Sequence, residues 1–234
     1  MSDLPLSGRT AVIAGASRGI GLAVAEGLQA AGAHVVRLAR SLADAERERS
    51  TDLTCDVTDA AAVARMARRV LDARGAPDIV VISAGVFLVA ALAETTPEEF
   101  AAQLAGNLVA PFLVLRAFLP AMVERGRGLI VTIGSVADHQ AFQGNAAYGA
   151  AKSGLRGLHA VLVKELRGTG VRATLLSPGP VDTAIWDAVD PDTKPGFTSR
   201  AQMLNAEDVA EAVLFVASRP DQVAIPELHI EPRL

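Results

Sequence analysis

Hydrophobic residues in this chain fall into two alternating kinds of run. Short, nearly unbroken stretches rich in Val and Ile read as strands: TAVIAG (10–15), HVVRLA (34–39), LTCDV (53–57), DIVVISAG (78–85), GLIVTIGS (128–135) and VRATLLSPG (171–179). Continuous apolarity, rather than alternation, is what a strand covered on both faces shows. Between them, segments 19–31, 59–74, about 97–124, 146–168 and 206–218 space their apolar residues as helices with one buried side do. A short last strand is expected within QVAIPELHI, 222–230. Regular alternation of this kind predicts an α/β fold, a doubly wound parallel sheet of about seven strands with helices on both faces and right-handed crossovers.

No Pro/Gly/Ser-rich linker or internal repeat divides the chain, so residues 1–234 read as a single domain. Its halves would be a ligand-binding part at about 7–125 and a second part at about 126–234. The least regular stretch, 178–205, carries four prolines and leaves the carboxyl end of a strand. In open α/β sheets ligands bind at that edge, so about 180–205 is expected to form a flexible flap over a substrate.

Composition narrows the chemistry. The formal charge is −4, which leaves no basic field to draw the chain to nucleic acid or a membrane surface. The single cysteine, Cys55, excludes an intrachain disulfide framework and a multi-cysteine metal site, and no metal is expected. The N-terminal MSDLPLSGRT lacks the pattern of a signal peptide. No apolar run reaches the roughly 18 residues of a membrane span. A cytoplasmic protein acting on a small molecule is the expectation.

The first strand leads into AGASRGIG, with Gly15, Gly19 and Gly21 spaced Gly-x-x-x-Gly-x-Gly. Glycines between a first strand and a first helix permit a sharp turn, close approach of backbone N–H groups to a pyrophosphate, and tight helix–strand packing. The helix start directs its positive end at the phosphates. This is the arrangement of a Rossmann dinucleotide site. Folds that choose NAD commonly end the second strand with an acidic residue that bonds the ribose 2′-hydroxyl. HVVRLAR instead ends in Ala39 and Arg40, and Arg18 sits in the glycine loop. Two guanidiniums suit a 2′-phosphate, which predicts NADP(H). Asp56, after the third strand, is placed either to bond an adenine amino group or to cap the next helix.

The only tyrosine, Tyr148, precedes Lys152 by four positions within NAAYGAAKSG (145–154). On a helix the two share a face. A neighbouring ammonium favours the phenolate and is expected to lower a phenol pKa from its usual value of about 10. A tyrosine so placed exchanges a proton with a carbonyl or alcohol oxygen.

With these motifs in order, the chain resembles the compact short-chain dehydrogenase/reductase family from about residue 7 to at least 185. AGASRGIG resembles its cofactor loop, with Ala14 where the family usually has Thr. ISAG (82–85) resembles its Asn-Asn-Ala-Gly segment, with Ile82 and Ser83 replacing both asparagines. Asn107, Ser135, Tyr148 and Lys152 match its catalytic residues, and SPGPVDT (177–183) its Pro-Gly segment beside the nicotinamide. The resemblance implies Tyr148 as acid/base, Lys152 on the ribose hydroxyls, Ser135 on the substrate oxygen and Asn107 holding a relay water. It implies cofactor contacts from Gly15, Ser17, Arg18, Gly19, Ile20, Gly21, Arg40, Asp56 and Val57. Further contacts would come from Ser83, Ala84, Gly85, Tyr148, Lys152, Pro178, Gly179, Val181 and Thr183. Val136, Asp138, His139, Gln140, Phe142 and Trp186 are the candidate substrate lining, with His139 or Arg200 placed to meet a substrate carboxylate.

The implied activity is NADP(H)-dependent interconversion of a ketone or aldehyde and an alcohol. The tail resembles a branch acting on 3-hydroxy acids and serine, which keeps those substrates, and 3-oxoacyl reduction, open. A catalytically silent cofactor-binding sensor is a further alternative. A homodimer or homotetramer is expected from the long apolar helices at 97–124 and 146–168. SLADAERERSTDL lacks apolar period, so the helix that usually follows the second strand should be truncated.

Overall fold

A computed structural model describes residues 4–233. Its parallel strands are β1 (Thr10–Ala14), β2 (His34–Ala39), β4 (Ser50–Thr54), β5 (Ile79–Ile82), β6 (Gly128–Ile133), β7 (Val171–Pro178) and β8 (Glu227–Ile230). One antiparallel strand, β3 (Ala45–Arg47), completes a sheet in the order β3-β4-β2-β1-β5-β6-β7-β8. The helices are α1 (Gly19–Ala30), α2 (Ala60–Arg74), α3 (Pro97–Leu104), α4 (Ala110–Arg125), α5 (Ala146–Glu165) and α6 (Ala206–Ala217).

Both faces of the sheet are covered, and successive residues of each strand divide between two cores. Ala11 and Ile13 of β1 join Val35, Val81, Val131 and the inner sides of α1 and α6. Val12 and Ala14 join Val36, Leu38, Val80 and Ile82 against α2, α4 and α5, where Phe118 and Met122 are fully enclosed. Burying a side chain of that size contributes about 1.5–3 kcal/mol. This two-sided burial is why the strands read as unbroken apolar runs.

Local signals set the ends of the helices. The Asp59 carboxylate accepts from Ala61 N (2.8 Å) and Ala62 N (3.2 Å), starting α2. Thr96 and Glu99 form a reciprocal capping box before Pro97, the first residue of α3. Gly126, at φ 74°, closes α4 in the left-handed region.

One expectation is corrected here. The sheet has eight strands rather than about seven, because no helix at all follows β2. In its place ERERST folds back as the β3–β4 hairpin, and β4 begins three residues before the expected 53–57 strand, leaving Cys55–Val57 beyond the sheet. Charge explains the substitution: Asp52 is buried and bonds Arg37 at 2.6 Å and Arg47 at 2.7 Å from the two flanking strands. Burial opposes ionisation of Asp52, but the two guanidiniums outweigh it and hold the carboxyl below its usual range. A helix with no apolar stripe has nothing to pack with, whereas a three-strand charge ladder satisfies these side chains.

The helix expected at about 97–124 is present. It continues from Pro97 to Arg125 through a π-helical turn at Ala105–Val109. Within these 29 residues an 18-residue window reaches a mean hydropathy of 1.6, by length and composition alone enough to cross a membrane. Its apolarity serves the core: Val114, Leu115, Phe118 and Met122 are buried within the packed layer beside the sheet.

Candidate active site

Every predicted site segment follows the carboxyl end of a strand or lies on a helix facing that edge. β1 ends in the glycine loop, β2 in Arg40, β4 in Cys55–Asp56, β5 in Ser83–Gly85, β6 in Ser135 and β7 in Gly179–Thr183. Between β1 and β5 the chain's winding reverses direction, and a crevice opens there. Gly15 shows how tightly it is built. Its φ is 86°, and an added Cβ would stand 2.6 Å from the Ala84 backbone. At Gly21 a Cβ would lie 2.1 Å from the Gly15 carbonyl oxygen. No side chain fits at either position, so backbone N–H groups line the start of α1.

A cavity of about 650 Å³ runs from this loop along the strand ends. Gly15, Ser17, Arg18, Gly19, Ile20, Gly21, Arg40, Asp56, Val57, Ser83, Ala84, Gly85 and Thr183 line it, as expected of cofactor contacts. Arg18 and Arg40 are exposed at its rim, and among the described residues neither forms an ion pair. Asp56 bonds Thr58 N (2.9 Å) and Thr58 Oγ1 (2.7 Å), and these bonds lower its pKa. Asp59, not Asp56, caps α2. Cys55 is buried at the back of the cavity. Burial and the neighbouring Asp56 and Asp59 push its thiol up to about 11, so it is an inert apolar side chain.

A second cavity, about 560 Å³, adjoins the first through Ile20, Ser83, Gly85, Thr183 and Ile185, which line both. Asn107, Ser135, Tyr148 and Lys152 come together on its wall, with Pro178, Gly179 and Val181 from the β7 end. The Lys152 Nζ donates to the Ile133 carbonyl (3.0 Å) and lies 5.7 Å from the centre of the Tyr148 ring. Of the candidate substrate residues, Val136, Phe142 and Trp186 line this cavity.

Three readings are corrected at this site. Asp138, His139 and Gln140 do not line the cavity, and the His139 Nδ1 is turned onto the Asp138 carboxylate at 2.6 Å. Arg200 is not free for a substrate carboxylate, since it bonds Asp182 and Asp187 at 2.6 Å each and the Thr183 carbonyl at 3.2 Å. The pKa of Tyr148 is raised, not lowered. Burial pushes it up to about 12, Ser135 opposes that, and Asp138 adds to it. The Lys152 Nζ lies 5.7 Å from the ring centre, and burial pulls its own pKa down to about 8 against the raising effect of Asp138.

Asn107 performs a task that spacing did not reveal. It is fully buried in the π-helical turn, where its amide bonds Val86 O (2.8 Å), Gln103 O (3.1 Å) and Gln103 Oε1 (3.1 Å) and accepts from Val86 N (3.2 Å). The side chain is thereby spent on clamping the strand exit, which does the bracing that Ser83, in place of an asparagine, does not.

Asp138, expected in the substrate lining, serves the fold behind it instead. Its carboxylate is almost wholly enclosed behind Ser135, where it accepts from Ser177 Oγ, His139 Nδ1, Ser135 N (3.4 Å) and Arg156 Nη1 (3.3 Å). Burial disfavours its charge, yet these partners together hold it ionised with a lowered pKa. Asp138 thus ties the Ser135 turn to β7 and α5. The signal available was its place three residues after Ser135, in the capping-box spacing.

Comparison with known proteins agrees with this geometry. The family described as short chain dehydrogenase matches residues 9–194, and the chain belongs to that family. It is 36% identical to the glycine betaine reductase of Emericella nidulans over 98% of its own length, spanning 19% of that much longer relative. Among solved structures, a metagenomic short-chain oxidoreductase in complex with NADP is 35% identical with a TM-score of 0.80, covering 98% of this chain and 99% of that one. The serine dehydrogenase of Escherichia coli is 28% identical with a TM-score of 0.81, covering 94% and 96%.

Proposed function

We propose that this oxidoreductase interconverts a carbonyl compound and an alcohol using NADP(H). The observation that carries the reading is the meeting of Ser135, Tyr148 and Lys152 in one cavity that opens directly onto the glycine-loop crevice. The residues present fit a dinucleotide. The side-chain-free loop suits a pyrophosphate, the two unpaired arginines suit a 2′-phosphate, and Ala39 offers no acid to a 2′-hydroxyl. When bound, the cofactor supplies the hydride.

The chain's own residues manage the proton. With a pKa near 12, Tyr148 carries its proton at neutral pH and is set to donate it to a carbonyl oxygen, the direction of reduction. Ser135, fixed by Asp138 and by its place at the β6 exit, orients that oxygen and stabilises the charge developing on it. Lys152 is mostly cationic at neutral pH and is placed to hold ribose hydroxyls. Asn107 holds the cavity wall in register through Val86.

The test is a steady-state assay with NADPH or NADH and a panel of ketones and aldehydes. Oxidation of NADPH at a kcat/KM at least ~10-fold above NADH is expected, from the charge-assisted bonds of Arg18 and Arg40. Equal values would overturn the cofactor preference, and no turnover with measurable cofactor binding would point to a sensor.

The reading includes a homodimer or homotetramer. Val109, Phe112 and Val123 lie along one exposed face of the long helix, and Val161 is exposed on α5. Apolar residues so aligned are what paired helices bury. Light scattering at micromolar concentration should give at least twice the monomer mass.

A further inference from the structure

The second cavity has a chemical character of its own. Its aromatic wall is built from three separate segments. Phe87, from the loop after β5, meets the Tyr148 ring edge-to-face at 4.9 Å and the Trp186 ring at 4.8 Å. Phe197, from the segment before α6, lies 6.2 Å from Trp186. The indole N–H is already spent on the Val181 carbonyl at 3.1 Å, so Trp186 offers the cavity only apolar surface.

Charge is withheld from the same space. Among the described residues that line the cavity, Lys152 is the only charged one, and its ammonium is bonded to Ile133 O beside the site of chemistry. The cations that sequence placed nearby point elsewhere, His139 to Asp138 and Arg200 to Asp182 and Asp187. A carboxylate entering here loses its water and meets no cation other than Lys152, whose ammonium is held beside the site of chemistry, and it approaches the buried negative charge of Asp138 behind Ser135. No carboxylate lines the cavity to neutralise an onium group, and although ring faces attract such a cation, the Lys152 ammonium, 5.7 Å from the Tyr148 ring centre, repels it.

We infer that this cavity selects uncharged carbonyl compounds bearing an aryl or similar flat apolar substituent, and rejects their carboxylate counterparts. The inference rests on the carbonyl/alcohol reading above and specifies its substrate class. Phe87 and Trp186 determine the specificity by stacking the substituent, while the carbonyl oxygen faces Ser135 and Tyr148. The neutral polar groups on the wall, Gln143, Asn145 and Thr198, suit an ester, amide or hydroxyl rather than an acid.

Trp186 is the chain's single tryptophan, so its fluorescence reports on the cavity independently of turnover. Ethyl benzoylformate and benzoylformate form a matched ester and acid pair, and benzaldehyde, betaine aldehyde and acetaldehyde complete the set. Each is titrated into the full-length protein saturated with NADP+, and each is assayed for NADPH oxidation. The ester should bind, and turn over by kcat/KM, at least ~100-fold better than the acid, the size of discrimination an unpaired buried charge imposes. An acid within tenfold of its ester overturns the inference, as does tighter binding of betaine aldehyde than of benzaldehyde. If the binding preference appears and no compound is reduced, the inference stands while the hydride-transfer reading falls. Trp186→Leu should cut the preference for benzaldehyde over acetaldehyde by ~10-fold, followed by turnover in that variant, and an unchanged ratio overturns the stacking role.

Discussion

The two adjoining cavities are made of different materials. The first is backbone: a glycine loop with no room for a Cβ, strand ends held in a parallel ladder, and two surface arginines at its far rim. The second is side chains: aromatic rings from three segments, a tyrosine and a lysine on α5, and a carboxylate network behind them. A site made of backbone is fixed by the sheet and serves any member of the fold. A site made of side chains can be re-cut by single substitutions, which is where one family diversifies.

Four changes should separate the two. The largest effect belongs to Tyr148→Phe, which removes one hydroxyl and leaves the ring contacts with Phe87. We expect kcat to fall by about 10³–10⁴, the upper range of general acid–base contributions, with NADPH affinity by fluorescence titration essentially unchanged. Parental kcat in this variant would refute the proton role.

Next is Asp138→Ala, which strands Arg156, His139 and Ser177 around an emptied centre. Breaking one side of a buried charge network costs about 3–5 kcal/mol. Each kcal/mol lowers Tm by about 2–4 °C in a chain of this size. Calorimetry should show that drop, and carbonyl turnover should fall further than cofactor binding, because the Ser135 turn loses its anchor. A variant as stable and active as the parent would show the network to be ornamental.

A smaller and opposite separation is expected from Arg40→Asp. It should lower the NADPH/NADH preference by ~10–100-fold while leaving the aldehyde order in the second cavity intact. The mildest effect is on pH dependence. Below about 8 Lys152 is charged, and above it the amine goes neutral, whereas Tyr148 keeps its proton to about 12. The kcat/KM for NADPH should therefore decline as pH rises through about 8, with no second decline near 10 of the kind an ordinary phenol would give. A profile flat to pH 10 would contradict the assignment to Lys152.

The backbone cavity was almost wholly legible in the sequence, because the demands on it are local. Gly15 and Gly21 are dictated by space, and Ala39 and Arg40 announce themselves at a strand end. Tyr148 and Lys152 were legible from their spacing, whereas Ser135 and Asn107 were legible only through resemblance; nothing local marks them as more than a strand-end hydroxyl and a helix amide. What stayed hidden depends on side-chain direction. The pattern places His139 and Arg200 near the substrate but cannot say that Asp138, Asp182 and Asp187 turn them away. The shift of Tyr148 was hidden as well: i,i+4 spacing gives a shared face but does not show that burial of the phenol, with Asp138 nearby, raises its pKa. The β3–β4 hairpin was missed because ERERST alternates charges, a period-two signal that an apolar-run search passes over.

That hairpin also bears on how copies of the chain can meet. An outermost strand with unused N–H and C=O groups invites another chain to continue the sheet. Here the outermost strand is three residues long and carries exposed Glu46 and Arg47, and Arg37, Asp52 and Arg47 cross-link it to its neighbours. This margin is therefore a poor template for sheet extension.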